Sequence, residues 1–559
     1  VDSQDQQLIV TAMTIAGLRA FDITKFRIMA NVCRKASFLE VRQRALVGFV
    51  FTMGQGMSSL FPEQKAIVEE VLADKSIYSQ LLELQMQLVY CVKASDDSRK
   101  VQDEIMPGIV KNSDLQVKNG MIVEVEDNSI DDILGKNDDE QRAEEVERLM
   151  RNLKDLQDSG ADILFGGFSH MKRFPFFNVM ANWFLPFSTK NKYVREVVGA
   201  TGIELPYNSF FQKSGFCDND CYSFVFVFKE VIGRMPENIR EMFRNQVSVP
   251  DDDSVGTPTH YRRNYLQTMY RFFTLFKWRN GLLNPFENDG LCSLLGECWH
   301  APYLFSANGL LVDSNWLKDV LPNLLMFLSR NLTDKIENDL EKIVWPDIPS
   351  FEGCMAKIMY LHKLKHSGYN EKTLREALSY KPDSMVAKKF LANTLLNSGR
   401  EECLEEAKQL LLELVDNDSD NPTLSYKTAL ACYLTNDIEK ALPFAYKLHY
   451  NYPKDDNVNM LLGSLLLLKG DVAQSYETLD NVADFGQAYH FFKLSFIVAC
   501  WLATGSVKNT ISSSKAKNAI VDSQIFSNTG ICQHIIGILS GHGISNAEFR
   551  MMYDAIVCQ

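Results

Sequence analysis

The residues best suited to bind a metal ion lie in the middle of the chain. Cysteine thiolates and histidine imidazoles are the ligands that structural zinc prefers, and this part of the sequence contains Cys217, Cys221, Cys292, Cys298 and His300. Structural zinc sites use two closely spaced ligand pairs, whereas here three residues separate the first cysteine pair and five the second. The spacing favours cysteines of the core or of loops, and no metal site is predicted.

Residues suited to catalysis also lack the spacing that a catalytic site requires. The carboxylates of Asp251, Asp252 and Asp253 could bind a divalent cation, but Pro250 and Pro258 are typical of a solvated loop. The nine histidines are dispersed, and the sequence has no Gly-x-Ser-x-Gly elbow, no His-Glu-x-x-His pair and no glycine-rich phosphate loop. We therefore predict no catalytic constellation, no cofactor and no enzymatic activity.

The composition is that of a folded, acidic protein with several domains. Of the 559 residues, 46% are hydrophobic and 23% charged, and such a chain exceeds the usual size of a single core. The net charge of −13 disfavours a nucleic-acid partner, because neutralising phosphates requires a surplus of Lys and Arg. No apolar run is long enough to cross a membrane, and the scattered cysteines favour a reducing compartment. A cytoplasmic protein without a membrane partner is predicted.

The elements that would position a site begin with amphipathic helices. Apolar residues recur at helical spacing from Gln6 to about Lys111. The segment Ser37 to Phe51, SFLEVRQRALVGFVF, is typical of the second helix of a HEAT-type repeat, whose helix pairs stack because no single pair can bury its apolar face. Since Gln7 to Ala20 already has helical spacing so soon after Val1, we expect the natural chain to start further upstream.

Two segments of different composition follow these helices. Between Glu124 and Asp158, thirteen acidic residues stand against five basic ones, and Glu126 to Asp139 is interpreted as a solvated linker. From Ile163 to about Leu328, dense aromatic residues broken by prolines predict a compact helical domain with an aromatic core. The run Tyr222 to Phe228 alternates like a strand but continues into further apolar residues, so it predicts a buried helix.

Tetratricopeptide-like repeats are indicated near the C-terminal end. This repeat is a helix pair of roughly 34 residues with small side chains where the two helices cross. The segments Thr423 to Pro453 and Asp456 to Gly486 match the spacing, with small residues such as Ala429 and Gly463 at the crossing positions, and Pro382 to Asn421 is a looser copy. Helices can approach closely only where no bulky side chain intervenes, so the pattern predicts stacked helix pairs.

Polar side chains lie where the first helices of these repeats would line a concave surface. They are Lys389, Asn393, Lys427 and Asn457. Lys389 and Asn393 occupy positions at which some tetratricopeptide domains hold the terminal carboxylate of a peptide. Lys427 and Leu461, however, stand where such clamps carry Asn and a basic residue. The sequence therefore predicts a general peptide-binding surface, not a complete carboxylate clamp.

Five short segments carry a resemblance to a known family. Arg42 to Gly48 (RQRALVG), Gly160 to Ile163 (GADI), Phe174 to Phe177 (FPFF), Asn182 to Phe187 (NWFLPF) and Tyr222 to Phe224 (YSF) together resemble an uncharacterised family of tetratricopeptide-repeat-containing proteins of Bacteroidetes-type bacteria. The resemblance covers most of the chain. It implies a helical-repeat architecture and a bacterial cytoplasmic setting, and it implies no activity and no site residues.

Together these patterns predict an all-α protein, an α-solenoid of five segments. They are HEAT-like helical repeats at 1–123, an acidic linker at 124–139, an aromatic-rich helical middle domain at 140–350, tetratricopeptide-like repeats at 351–505 and a helical cap at 506–559. The predicted function is a non-enzymatic scaffold that binds a peptide or partner protein. Two alternatives stay open: the middle domain is an enzyme or small-ligand module regulated by the flanking solenoids, or the chain is the partner-binding arm of a longer protein with an N-terminal effector domain.

Overall fold

The computed structural model shows a mainly helical protein. It describes residues 1–53, 60–108, 115–118, 121–124, 145, 147–152, 156, 162–201, 211, 215–232, 256–279, 281–287, 302–364, 370–485, 489–505 and 530–557. Within those residues the regular structure is helical apart from one antiparallel hairpin, Leu115–Lys118 with Met121–Glu124, in which Leu115 lies opposite Glu124. The predicted helical class is confirmed, and the hairpin is an addition that the sequence analysis did not include.

The chain divides into two compact units, Val1–Ile348 and Pro349–Gln559, called here the first and second unit. The predicted linker beyond Glu124 and residues 506–529 of the predicted cap lie outside the described residues. Over the parts of the chain that the structure describes, no helix has both the length and the apolar character needed to cross a membrane.

Helices open the first unit, as predicted, although the helix Leu39–Thr52 is buried on nearly all sides and is not amphipathic. They are α1 (Ser3–Arg19), α2 (Ile23–Lys35), α3 (Leu39–Thr52), α4 (Glu63–Leu72) and α5 (Lys75–Lys100), which continues into a π-helical turn at Val101–Ile105. Asp2, Asp22 and Asp74 start α1, α2 and α5 as N-caps, because their carboxylates accept backbone N–H groups that have no partner within the first helical turn.

Helices of unequal length and several 3₁₀ turns form the aromatic segment. They are α6 (Phe165–Ser169), the 3₁₀ turns His170–Arg173, Pro175–Asn178 and Met180–Phe184, α7 (Lys192–Thr201), α8 (Asp218–Ile232), α9 (Pro258–Leu275), the 3₁₀ turn Phe305–Ala307, α10 (Asn315–Arg330) and α11 (Asp334–Leu340). The run Tyr222 to Phe228 lies inside α8, so the predicted buried helix is confirmed.

Helix α3 joins the N-terminal helices to the aromatic segment within the first unit. It packs against α1, α2 and α9, and α5 packs against α6, α9 and α10. Gly48 allows α1 and α3 to approach closely, since a Cβ atom there would overlap the side chain of Thr14. Arg262 of α9 is fully buried and donates to the Oε1 atom of Gln43 on α3 over 2.7 Å. Helices assigned by sequence to separate segments, 1–123 and 140–350, therefore lie in one unit.

Successive helices form the second unit. They are α12 (Phe351–Lys363), α13 (Asn370–Tyr380), α14 (Met385–Asn397), α15 (Glu401–Asn417), α16 (Pro422–Leu434), α17 (Ile438–Asn451), α18 (Asp456–Lys469), α19 (Val472–Asp480), α20 (His490–Thr504), α21 (Gly530–Gly541) and α22 (Asn546–Val557). Ser384, Asn421 and Asp455 cap α14, α16 and α18. Each of the three predicted repeat segments contains one helix pair, and each pair packs against the next.

Small residues lie where the paired helices of the second unit cross. Ala429 and Ala441 are fully buried. A Cβ atom on Gly463 would overlap the side chain of Leu479 on the facing helix, and the hydroxyl of Ser475 donates to the carbonyl oxygen of Gly463 over 2.7 Å. The absence of a side chain at Gly463 therefore allows both the close packing against Leu479 and the hydrogen bond from Ser475.

Candidate functional site

Three of the four predicted partner-binding residues lie on two helices of the second unit. Lys389 and Asn393 are one turn apart on α14, and Lys427 is on α16. The Nζ atom of Lys427 donates a hydrogen bond to Oδ1 of Asn393 over 2.8 Å. These two residues are 34 positions apart, about the length of one repeat, so the bond joins equivalent positions of successive pairs. We call Lys389, Asn393 and Lys427 the lysine site.

The lysine site carries positive charge that the described part of the chain does not neutralise. Lys427 is half-buried, and burial lowers the pKa of its amine, which the positive charge of Lys389 lowers further. No carboxylate among the described residues forms an ion pair with either amine, whereas the neighbouring Lys388 pairs with Glu413. Two close amines without an acidic partner favour an anionic ligand group.

The fourth predicted residue, Asn457, is exposed in the first turn of α18. Its side chain hydrogen-bonds to none of the other three, as far as the described residues show. Asn459, two positions further, is buried: its Nδ2 atom donates to the carbonyl oxygen of Pro453 over 3.0 Å, and its Oδ1 atom lies 2.9 Å from Nδ1 of His449. Asn459 therefore fixes the turn before α18, and Asn457 is exposed at the start of that helix.

A cavity of about 560 Å³ lies in the first unit between the N-terminal helices and the aromatic segment. Residues of α1, α3, α8 and α9 line it, together with the loop before α7. Its ionisable and polar lining includes Glu40, Arg44, Asp218, His260, Tyr261 and Asn264. The sequence analysis singled out none of these six residues.

The buried Arg44 and the partly exposed Asp218 form an ion pair at the cavity wall. The Nη2 atom of Arg44 lies 2.9 Å from Oδ2 of Asp218, and Nη1 donates to the hydroxyl of Thr11 and to the carbonyl oxygen of Phe184. Asp218 accepts a further hydrogen bond from the backbone N–H of Phe187 over 3.1 Å. Both charged groups are thereby held by several partners, and their charges offset each other.

Glu40 is the second carboxylate of the cavity. It accepts a hydrogen bond from the hydroxyl of Ser3, and no Lys, Arg or His among the described residues forms an ion pair with it. Burial raises the pKa of Tyr261, and the negative charges of Glu40 and Asp218 raise it further. Both carboxylates therefore make the same phenolic hydroxyl, that of Tyr261, harder to ionise.

No protein family, curated protein or solved structure matches this chain. The chemistry of its sites is therefore argued from their geometry.

A second group of charged residues in the first unit is fully enclosed. We call Asp162, Lys172, Asp220 and Arg271 the ionic cluster. Arg271 lies 2.6 Å from Asp162 and 2.8 Å from Asp220, and Lys172 lies 2.8 Å from Asp220. Burial opposes ionisation of Asp220, but the positive charges of Arg271 and Lys172 prevail and lower its pKa. Two cations meet two anions, so the cluster is electrically balanced, and removal of one partner would leave a buried charge without compensation.

The described cysteines of the zinc hypothesis lie beside this cluster. Cys217 and Cys221 are buried, burial raises the pKa of both thiols, and Cys217 donates to Oδ1 of Asn219 over 3.3 Å. The other candidate ligands, Cys292, Cys298, His300 and the acidic triplet at 251–253, lie outside the described residues. Within the described ranges, no three His, Cys, Asp or Glu side chains are placed to hold a metal ion.

Proposed function

We propose that this chain is a non-enzymatic interaction scaffold whose second unit binds an acidic segment of a partner protein at the lysine site. The observation that supports this most directly is the pair of amines of Lys389 and Lys427, which have no acidic partner among the described residues and of which Lys427 donates to Asn393. A carboxylate of the partner would accept charge-assisted hydrogen bonds from both ammonium groups and would offset the repulsion between them. The proposal includes the tetratricopeptide-like architecture, the relationship to the bacterial family and a cytoplasmic setting.

A peptide suits this surface better than a small apolar ligand. The site lies on the surfaces of two helices, and an apolar small molecule requires an enclosed pocket. Tyr426 precedes Lys427 and is partly buried, and burial raises its pKa, as do the nearby Tyr489 and Asp455. Tyr489 is 53% exposed, so an exposed aromatic side chain lies near Tyr426. An extended segment could place acidic side chains on the lysines and apolar ones on the tyrosines.

The test replaces Lys389, Asn393 and Lys427 together by Ala. We expect weaker capture of the main partner from a cytoplasmic extract, measured by quantitative mass spectrometry, because the charge-assisted hydrogen bonds are lost. The fold should persist, since surface substitutions usually change stability by less than about 0.5 kcal/mol. Circular dichroism checks the fold of the variant.

A matched control changes the same residue types elsewhere in the second unit. Lys388, Asn397 and Lys447 are replaced together by Ala; Lys388 pairs with Glu413 and Lys447 with Asp420. Partner recovery should stay at the wild-type level. Equal recovery from both folded triple variants would place the binding surface elsewhere.

The predicted alternative of an N-terminal effector domain in a longer protein stays a prediction. The alternative of a small-ligand module gains a specific observation, the cavity of the first unit.

A further inference from the structure

We propose that the cavity of the first unit is a binding site for a small organic cation, such as an amine or a quaternary ammonium compound. The volume of about 560 Å³ falls within the range of roughly 300 to 1,000 Å³ that is usual for small-molecule sites. The site is separate from the lysine site, and each proposal can fail without the other.

The charge of the lining selects a cation. Two carboxylates, Glu40 and Asp218, face one guanidinium, Arg44, so the ionised lining carries one negative charge in excess with histidine neutral. Arg44 is already bound to Asp218 at 2.9 Å and to two further acceptors, and its guanidinium lies 4.8 Å from the ring centre of Tyr265. Glu40 is therefore the carboxylate that a positively charged ligand would neutralise.

Aromatic rings are the second feature that a site for an organic cation needs. Phe187 and Phe211 have ring centres 4.7 Å apart, and Phe211 and Phe216 lie 6.4 Å apart, so the three line one continuous wall of the cavity. Tyr261 adds a further ring, and the charges of Glu40 and Asp218 both raise its pKa. The negative faces of aromatic rings attract an alkylammonium group once it leaves water.

Other classes of ligand fit the cavity less well. An anion would face Glu40 and would find Arg44 already paired with Asp218. A hard metal ion such as Ca²⁺ requires six or more oxygen ligands, several of them carboxylate, and among the described residues no three His, Cys, Asp or Glu side chains are placed to hold one. A neutral ligand would leave the charge of Glu40 without compensation in a partly enclosed space. An organic cation satisfies both the carboxylate and the rings.

The experiment titrates the purified chain with choline, agmatine and spermidine by isothermal calorimetry. The neutral molecule 3,3-dimethyl-1-butanol, which has the shape of choline without its charge, is the matched ligand control. We expect at least one cation to bind and the neutral isostere to bind roughly tenfold more weakly or not at all, as a charge-assisted contact is worth about that ratio.

Variants locate the binding at the cavity. Glu40→Gln keeps the shape and the hydrogen-bond acceptor but removes the charge, and it should weaken cation binding roughly tenfold or more. Glu40→Asp keeps the charge on a shorter side chain and should give an intermediate loss. Glu69→Gln removes the same charge from an exposed position on α4 and should leave binding unchanged.

The outcomes separate this proposal from the scaffold proposal. The triple Ala variant of the lysine site should bind the cations as the wild type does. The cation site is refuted if none of the three cations binds, if the neutral isostere binds as tightly as choline, or if folded Glu40→Gln and Glu40→Asp both retain wild-type affinity.

Discussion

The contacts inside the first unit and those inside the second unit differ in how far apart their residues lie in the sequence. In the first unit, the ion pair of Arg44 with Asp218 joins residues 174 positions apart. In the second unit, the hydrogen bond from Ser475 to Gly463 spans 12 positions. The first unit thus has charged side chains buried between distant segments, and the second has small residues between adjacent helices. Buried ion pairs and close helix crossings respond differently to substitution, and this difference can be tested.

The largest effect is expected from the ionic cluster of the first unit. Asp220→Asn preserves the shape of the side chain but leaves Arg271 and Lys172 short of a counter-charge in a fully buried site. Breaking a buried pair in this way typically costs about 3 to 5 kcal/mol. We expect that loss in the free energy of unfolding of the first unit, measured by urea denaturation with hydrogen exchange followed separately in each unit.

A control for this substitution removes a carboxylate from an exposed pair. Glu230 lies 3.7 Å from Arg173, and both side chains are more than half exposed. Glu230→Gln should cost less than about 1 kcal/mol, because exposed ion pairs contribute little. If Asp220→Asn were as mild as this control, buried charge would not distinguish the first unit from the second.

A smaller effect is expected at the helix crossing of the second unit. Gly463→Ala places a Cβ atom against the side chain of Leu479, and overpacking of this kind costs about 1 to 3 kcal/mol. Gly537→Ala in α21 is the matched control, since a Cβ atom there meets no atom within 4 Å. Alanine favours a helix over glycine by about 0.5 to 1 kcal/mol, so the control should be neutral or stabilising. Thermal unfolding of both variants measures the difference, and equal melting temperatures would contradict the close crossing.

The same difference in range explains how much of each unit could be predicted. Gly463, Ala429 and the positions of Lys427 and Asn393 were found from local spacing, because helical periodicity determines which face is buried within a repeat. Spacing does not determine which distant segment covers a face. The partner of Arg44 therefore could not be inferred, although a charged side chain inside the apolar run of α3 indicated that a partner was required.

The cavity and the hairpin were missed for different reasons. Glu40 and Tyr261 come from segments that the sequence analysis placed in different domains, so nothing local indicates that both line one cavity. The hairpin at Leu115–Lys118 and Met121–Glu124, by contrast, has a local signal. The dipeptide Asn119-Gly120 stands between two short alternating runs of the sequence, a pattern typical of a two-residue hairpin turn, and the sequence analysis did not use it.

The smallest predicted effect concerns exposed ion pairs of the second unit. Glu371 accepts hydrogen bonds from Arg375 at 3.1 Å and from Arg400. Partial burial raises the pKa of Glu371, but these two arginines prevail, and its pKa lies below the usual value of 4.5. Because the pKa is lower in the folded state, the ionised carboxylate stabilises the fold above about pH 4.5, and this contribution is lost as the pH falls through the folded-state pKa.

Replacing Glu371 by Gln should therefore change how stability depends on pH. Near pH 7 the variant should be less stable than the wild type by at most about 1 kcal/mol, the usual upper value for an exposed pair, and the difference should shrink below about pH 4 as the wild-type carboxyl group is protonated. Glu439→Gln is a matched control, because Glu439 lies in the first turn of α17 as Glu371 lies in that of α13, but has no described ion pair. It loses only the interaction of a carboxylate with a helix N-terminus, so its loss near pH 7 should be smaller than that of the Glu371 variant. Urea denaturation at a series of pH values measures all three proteins. An exposed ion pair cannot contribute several kcal/mol, because water screens its charges. A loss of stability in Glu371→Gln as large as that in Asp220→Asn would therefore show that charged contacts stabilise both units equally.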